Sequence, residues 1–336
     1  MLVNPKYAEP PLTVPLDAPT EVSAEAENAQ VTIKWTDPKN KYATPEGEEA
    51  QDPQQLVAVW DHTVLVRKVG SNPTGPSDGT VVVSTTVRNQ YQTTGYTDTG
   101  LVNGTSYHYG VFAINEDGVA SAGAFVEATP VAGTPLSQLT EGTIIKINEN
   151  GTPVEFYLAK HSYEPDLNGA GRELLVRKDC YDQRQWDRNG KNAYASSSID
   201  NWFNSTYKNM LGAGIQSLIG TTKIRYTPGN GYWNVSTLER VIFALSFTEL
   251  GGFSFEANTE GSTLPVSSTL KIAYHDGSPT AQWTRSPYTR DTSRVYQLSS
   301  KGYEDSNNAS SLGWSRPCFT LPNTARVDAD LNLIES

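Results

Sequence analysis

Apolar and polar residues alternate with a period of two over the first third of the chain. Val22, Ala24 and Ala26, then Val31, Ile33 and Trp35, mark two such runs. Alternation of this kind puts one face of a strand in a core and the other in water. HTVLVRKVG, His62 to Gly70, is a further strand closed by glycine, and GTVVVSTT follows the turn-rich SNPTGPSD. Tyr107, Tyr109, Val111 and Ala113 alternate again before NEDG, a hairpin-turn sequence. Short strands at this spacing predict two packed antiparallel sheets over residues 18–131.

Beyond residue 131 the pattern changes. Residues 132–136 read as a linker, and a second domain spans 137–336. GTIIKINENGTPVEFYLAKHSY predicts two strands around an Asn150–Gly151 turn. In SSSIDNWFNSTYKNML the apolar residues Ile199, Trp202, Phe203, Tyr207 and Met210 fall at helical spacing. Ser197 or Ser198 is the N-cap, and Gly212 ends the helix. RVIFALSF, Arg240 to Phe247, is continuously apolar and predicts a buried central strand. Residues 1–17 are proline-rich without periodicity and read as an extended arm. No repeat of 20–50 residues is evident.

Composition supports a mainly β chain with many turns, to which the helix of the second domain adds a smaller α+β part. Among 336 residues, Gly 27, Pro 20 and Tyr 17 are high and Met 2 is low. A net charge of -11 argues against duplex nucleic acid or an anionic membrane as partner, since both reward a basic face. The two cysteines, Cys180 and Cys318, form no disulfide framework and read as buried thiols. The N-terminus shows no signal pattern, and no apolar run reaches the ~18 residues that span a bilayer. A product first made in the cytoplasm, without membrane insertion, is the expectation.

Trp35, Asp98-Thr-Gly-Leu101, Gly104-Thr-Ser-Tyr107-x-Tyr109-x-Val111-x-Ala113-x-Asn115 and Ala128-Thr-Pro130 together resemble a fibronectin type III module over residues 18–131. The resemblance makes Trp35 a core residue and Tyr107 the corner tyrosine, whose hydroxyl bonds backbone at the sandwich end. An acidic insertion at 39–56, before the third strand, departs from the family. The second domain carries Trp202-Phe-Asn on its helix, VIFALS, then Trp283-x-Arg285-Ser-Pro and Gly313-x-x-Arg316-Pro. These resemble a bacterial and phage domain family of unknown function. That family is similar to the C-type lectin-like fold of formylglycine-generating enzymes and of variable proteins of diversity-generating retroelements. Trp202, Trp283, Arg285, Trp314 and Arg316 read as structural support, with guanidinium groups bonding backbone carbonyls in a loop-rich domain.

Between the Trp283 and Gly313 clusters lies a run rich in Tyr, Ser, Asn and Arg, the composition of adaptable binding loops. Tyr288, Arg290, Tyr296, Tyr303, Asn307 and Asn308 are its candidate ligand-binding residues, with Tyr288, Arg290, Tyr296, Tyr303 and Asn308 expected to lie exposed on one face. A plain solvated loop is the alternative.

Catalytic chemistry is sparse. His62, His108, His161 and His275 are scattered without metal spacing, and no nucleophile elbow or phosphate loop occurs. Asp182, Asp187 and Asp200 lack the dense spacing of a calcium site. No metal and no cofactor is expected. His275, Asp276 and Cys318 raise a formylglycine-generating oxidase as a remote alternative, set against the lack of a local cysteine pair.

The expectation is therefore a non-enzymatic bacteriophage virion protein of the tail, baseplate or capsid. TVLVRKVGSNPTGPSDGTVVV looks like phage tail-associated fibronectin modules. The arm would contact other virion proteins, and the lectin-like domain a host surface glycan or protein receptor, at the virion surface. A homo-oligomer is compatible with this reading. The alternative is a bacterial surface or secreted carbohydrate-binding adhesin.

Overall fold

The computed structural model describes residues 14–43, 55–254 and 257–335. The chain is mainly β, with 43% strand and 11% helix. It divides into two compact units between Ala132 and Gly133. Among the described residues no helix is long and apolar enough to cross a membrane.

In the first unit, Thr20–Glu27, Gln30–Thr36 and Tyr96–Thr99 form one antiparallel sheet. Thr80–Thr85, Trp60–Val69, Tyr107–Asn115 and Ala124–Ala128 form another. The alternation in the sequence is the alternation of burial. Val31, Ile33 and Trp35 of the first sheet meet Leu65, Tyr109 and Val111 of the second in one core. Each such side chain contributes roughly 1.5–3 kcal/mol by leaving water. The polar tips inside are paired. Trp35 Nε1 donates to Asp37 at 2.9 Å, and Asp98 accepts from both Arg67 and the Tyr109 hydroxyl. At the end of the sandwich, the Tyr107 hydroxyl accepts from the Val102 N–H at 3.0 Å.

The acidic insertion starts and ends in a ladder of Lys41–Ala43 with Gln55–Ala58, and its middle, 44–54, lies outside the described residues. So do residues 1–13 of the expected arm. The rest of that arm is tied down. Asn115 Nδ2 donates to the Val14 carbonyl at 3.1 Å, and Leu16 is buried beside Ala58 and Ala113.

The second unit holds a four-stranded antiparallel sheet in the order Ile144–Glu149, Thr152–Lys160, Arg172–Arg177, Cys318–Pro322. A five-stranded sheet has the order Gln183–Gln185, Leu312–Trp314, Gln282–Pro287, Arg294–Leu298, Glu304–Asn308. Asn150 and Gly151 turn the first hairpin with φ of 51° and 79°, as an Asn-Gly pair in a two-residue turn requires.

Three sequence expectations are corrected here. Residues 132–136 are not a free linker, because Thr134–Pro135 pairs with Arg326–Val327 and Leu136 is fully buried. The helix begins at its serine cap, with Ser197 Oγ accepting from the Asp200 N–H, and runs α over Ser198–Trp202. It then widens to a π-helical stretch, Phe203–Tyr207, and ends in a 3-10 turn, Lys208–Met210. Most of RVIFALSF is buried, but it is not a strand. Only its first residue, Arg240, lies in one, paired with Thr222 at the end of Ser236–Arg240; beyond it Phe243 bridges to Cys318, the Leu245 carbonyl accepts from the Arg285 N–H, and side chains meet several of the other backbone groups. Asn204 bonds both the N–H and the carbonyl of Ile242. The Tyr194 hydroxyl accepts from the Ala244 N–H, and Ser286 Oγ from the Phe247 N–H. Apolar content predicts burial, while strand formation needs a neighbouring edge, and side chains occupy that place here.

Tyr107→Phe should cost about 1 kcal/mol by leaving the Val102 N–H without its partner. A urea titration of the first unit measures it, and unchanged stability would show that the corner bond contributes nothing.

Candidate functional site

The run between the two clusters is neither a free loop nor wholly a display surface. Arg294–Leu298 and Glu304–Asn308 are strands at one edge of the five-stranded sheet, paired Arg294 to Asn308 through Leu298 to Glu304. The turn before them is held by the buried Asn192, whose Nδ2 donates to the carbonyls of Tyr288, Asp291 and Arg294. Sequence reading missed Asn192, since an isolated asparagine carries no local signal.

Tyr296 is corrected outright. It is 1% exposed, stacked on Phe247 with centroids 4.6 Å apart, and cannot meet a ligand. The strand is buried on both faces, Val295 and Gln297 as well as Tyr296, so either pleat direction puts this ring inside. Tyr288 is half-buried and packs edge-on against Tyr296 at 5.3 Å. Tyr303 is 70% exposed at the hairpin turn, and Arg290 and Asn308 are exposed. The buried Tyr296 overturns the single exposed face expected for it with Tyr288, Arg290, Tyr303 and Asn308, and Asn307, the neighbour of Asn308 in one strand, points to the opposite side of the sheet. Asn307 Oδ1 accepts from the Asn308 N–H, Asp305 from the Ser306 N–H, and Arg294 donates to the Ser306 carbonyl. These side chains cover the outer edge of the strand and deny it to another strand. A shallow hollow of about 410 Å³ opens here, lined by Ser254, Tyr288, Glu304, Asp305 and Ser306.

Behind this edge lies the support. Trp283 is buried with Nε1 donating to the Arg184 carbonyl, and its ring lies so close to Gly313 that a Cβ there would sit 2.4 Å from it. Arg316 donates to the carbonyls of Arg177, Lys178 and Leu270. Arg285 is fully buried and donates through both Nη atoms to Glu249, at 2.6 and 2.9 Å, and to the carbonyls of Arg225 and Ala244. Burial opposes its charge, but the Glu249 carboxylate more than offsets that and holds its pKa well above the ordinary value. Trp202 and Trp314 are half-exposed instead of buried. Trp314 lies 4.1 Å from the His275 ring, and Trp202 lines a hollow of its own.

A wider polar cleft of about 620 Å³ is lined by Asp187, Ser196, Asp200, Asn204 and Arg240 among others. Burial pushes the Asp200 carboxyl up to about 6, although Arg240 Nε contacts both its oxygens at 2.8 and 2.9 Å. Asp187 accepts from the N–H groups of Asn189 and Lys191, and Asp182 is paired with Arg184. No group of three His, Cys, Asp or Glu side chains that could hold a metal exists among the described residues. Both thiols are buried. Burial raises Cys180 to about 11 and Cys318 well above the usual range, which keeps them protonated and weakly nucleophilic.

Residues 170–323 match the family model described as Domain of unknown function (DUF6273), a stretch that contains both clusters and the run between them. No curated protein matches the chain. Among solved structures, a β-1,2-glucanase from Parabacteroides distasonis is 22% identical over 38% of this chain and 14% of its own, with a TM-score of 0.22. A structure of titin kinase and its flanking domains is 12% identical over 73% of this chain and 41% of its own, with a TM-score of 0.23. The SusE-like protein BT2857 is 11% identical over 90% and 96%, with a TM-score of 0.19. The chain thus spans less than half the length of the first two. TM-scores this low bear on neither fold nor function.

Glu249→Gln should destabilise the second unit by about 3–5 kcal/mol, because it strands a buried guanidinium without its counter-charge. Chemical denaturation checks this, and a loss under 1 kcal/mol (roughly the worth of a surface pair) would show that the pair is dispensable. For Asp200 the folded pKa lies above the unfolded one, so the folded state holds the proton more tightly. Its contribution is full below pH 3.8 and is lost as pH rises through about 6. Asp200→Asn removes that titration. The stability of the variant relative to the wild type should therefore rise across this window in urea titrations at several pH values.

Proposed function

We propose that this chain is a non-enzymatic adhesive protein of a bacteriophage particle. In this reading the first unit is a fibronectin type III spacer, and the second a C-type lectin-like domain that binds a host surface glycan. The observation that carries the binding role is the hairpin edge. Tyr303 stands exposed at its turn, and Tyr288 lines a polar hollow with Glu304, Asp305 and Ser306. A tyrosine ring covers the apolar face of a sugar at low entropic cost, and carboxylate and hydroxyl groups bond sugar hydroxyls. The binding set is accordingly Tyr288, Arg290, Tyr303 and Asn308, without Tyr296.

Two features support the fold part of the reading. The two-sheet first unit carries the Tyr107 corner bond of such sandwiches. The second unit brings its start and end together in the Thr134–Pro135 and Arg326–Val327 pair. In the proposed particle, the N-terminal arm joins other virion proteins, and many copies at the virion surface raise a weak site to firm adhesion through effective concentration.

Tyr303→Ala and Tyr288→Ala should lower adsorption of particles to host cells about tenfold each while leaving the melting temperature of the chain within a few degrees. Tyr296→Ala should instead unfold the second unit, costing about 3–5 kcal/mol. Normal adsorption of both exposed-tyrosine variants, or absence of the chain from purified particles, would overturn the reading.

A further inference from the structure

We propose that a second hollow, at the opposite edge of the same five-stranded sheet from Glu304–Asn308, binds a carboxylate-bearing sugar. It lies where Gln183–Gln185 and Leu312–Trp314 meet the helical stretch that begins at Ser198, and measures about 410 Å³. Arg184 and Arg188 line it, and no aspartate or glutamate does. In a chain of net charge -11 this is an exception, since the hollow beside Tyr288 and the cleft beside Asp200 both carry carboxylates.

Arg184 is set in place before any ligand arrives. Its guanidinium carbon lies 3.3 Å from the centre of the Trp202 ring. Its Nε and Nη2 donate to the two oxygens of Asp182. The stacking ring and the carboxylate fix two sides of the plane, and Nη1 makes no hydrogen bond within the described protein. Trp202 is itself braced by Tyr181 and Tyr207 at 5.3 and 5.5 Å, and the Tyr207 hydroxyl is anchored on the buried Glu149. A donor held this way loses little freedom on binding.

Arg188 supplies the uncompensated charge. It is exposed, its backbone N–H donates to Ser198 Oγ, and it forms no ion pair among the described residues. Two guanidinium groups, of which only one has a carboxylate partner, favour an anion, and a carboxylate fits a guanidinium edge with two parallel bonds. The remaining lining selects what carries that carboxylate. Gln185 and Asn201 offer uncharged donors and acceptors suited to hydroxyls. Leu312, 63% exposed, offers an apolar surface to the C–H face of a ring. A carboxylate, several hydroxyls and one apolar face on a single small ring describe a hexuronate residue. This site is independent of the hairpin hollow, and its test does not depend on the outcome there.

The test is an NMR titration of the intact chain with D-glucuronate, D-glucose and acetate, following the Trp202 indole N–H and the Arg184 guanidinium N–H. Glucuronate should shift both signals saturably, with a Kd on the order of 1 mM. Glucose has the hydroxyls without the carboxylate, and acetate the carboxylate without the ring, so each should bind about tenfold more weakly or less. Arg188→Gln should weaken glucuronate about tenfold, and binding should weaken with added salt. Arg188 is exposed, so its variant should melt like the wild type, and Leu312→Ser gives a second, uncharged test of the apolar wall. No shift with glucuronate at about twenty times the expected Kd, equal binding of glucose, or unchanged binding by a folded Arg188→Gln variant would overturn the proposal. Equal binding of acetate would reduce the hollow to a bare carboxylate site and overturn its sugar specificity.

Discussion

One buried ion pair, Arg285 with Glu249, holds the second unit together. Removing two charges from water is costly, and their mutual attraction alone seldom repays it. Here the pair does more than attract. The Arg285 guanidinium also meets the carbonyls of Arg225 and Ala244, and Glu249 accepts from the Tyr163 hydroxyl and the Ser246 N–H. The pair thereby satisfies the Ala244 carbonyl and the Ser246 N–H of a segment that crosses the core outside the named strands. Without it, those carbonyls and N–H groups would be buried and unpaired, each at a cost of about 1–3 kcal/mol.

The same solution recurs around the pair. Arg316 gathers three carbonyls from separate stretches, and Asn192 three from one turn. Glu260 is fully buried and accepts from the Thr227 N–H and from Ser286 Oγ, the serine that follows Arg285. Among the described residues, no buried side-chain nitrogen or oxygen lacks a partner. Polar side chains thus act as posts between irregular segments, and a unit poor in helix gains a defined surface. The posts reach the hairpin edge directly. Thr284 donates to the Tyr296 carbonyl, and Tyr296 stacks on Phe247 in the segment that the ion pair supports.

The two edges of the five-stranded sheet are chemically distinct. One ends in a strand whose Ser306 and Asn308 N–H groups are covered by its own Asp305 and Asn307 and whose Ser306 carbonyl is covered by Arg294 of the neighbouring strand, beside a hollow with acidic lining. The other carries two arginines and a braced tryptophan. An acidic protein with a cation-lined hollow distinguishes ligands by where their charge sits, since exposed charges act over about 10 Å at ordinary salt.

Local pattern was enough for the first unit. A period of two along Gln30–Thr36 appears directly as alternating burial, and Trp35 and Tyr107 take the core places that their spacing demands. The helix cap at Ser197, the Asn150–Gly151 turn and the burial of Trp283, Arg285 and Arg316 were legible for the same reason, because each depends on residue type and near neighbours. Tertiary structure alone decided the rest. RVIFALSF reads as a strand by composition, but a strand exists only beside another, and Asn204, Tyr194 and Ser286 arrive there from distant parts of the chain. Tyr296 and Tyr303 look alike in sequence, and a strand covered on both faces holds the first in the core while a turn leaves the second in water. Trp202 reads as core by helical spacing, and the arrival of Arg184 on its ring makes it the floor of a hollow. Periodicity records which side of an element is apolar. Which partner meets that side, and which polar groups it brings, is set by contacts between residues far apart in the chain.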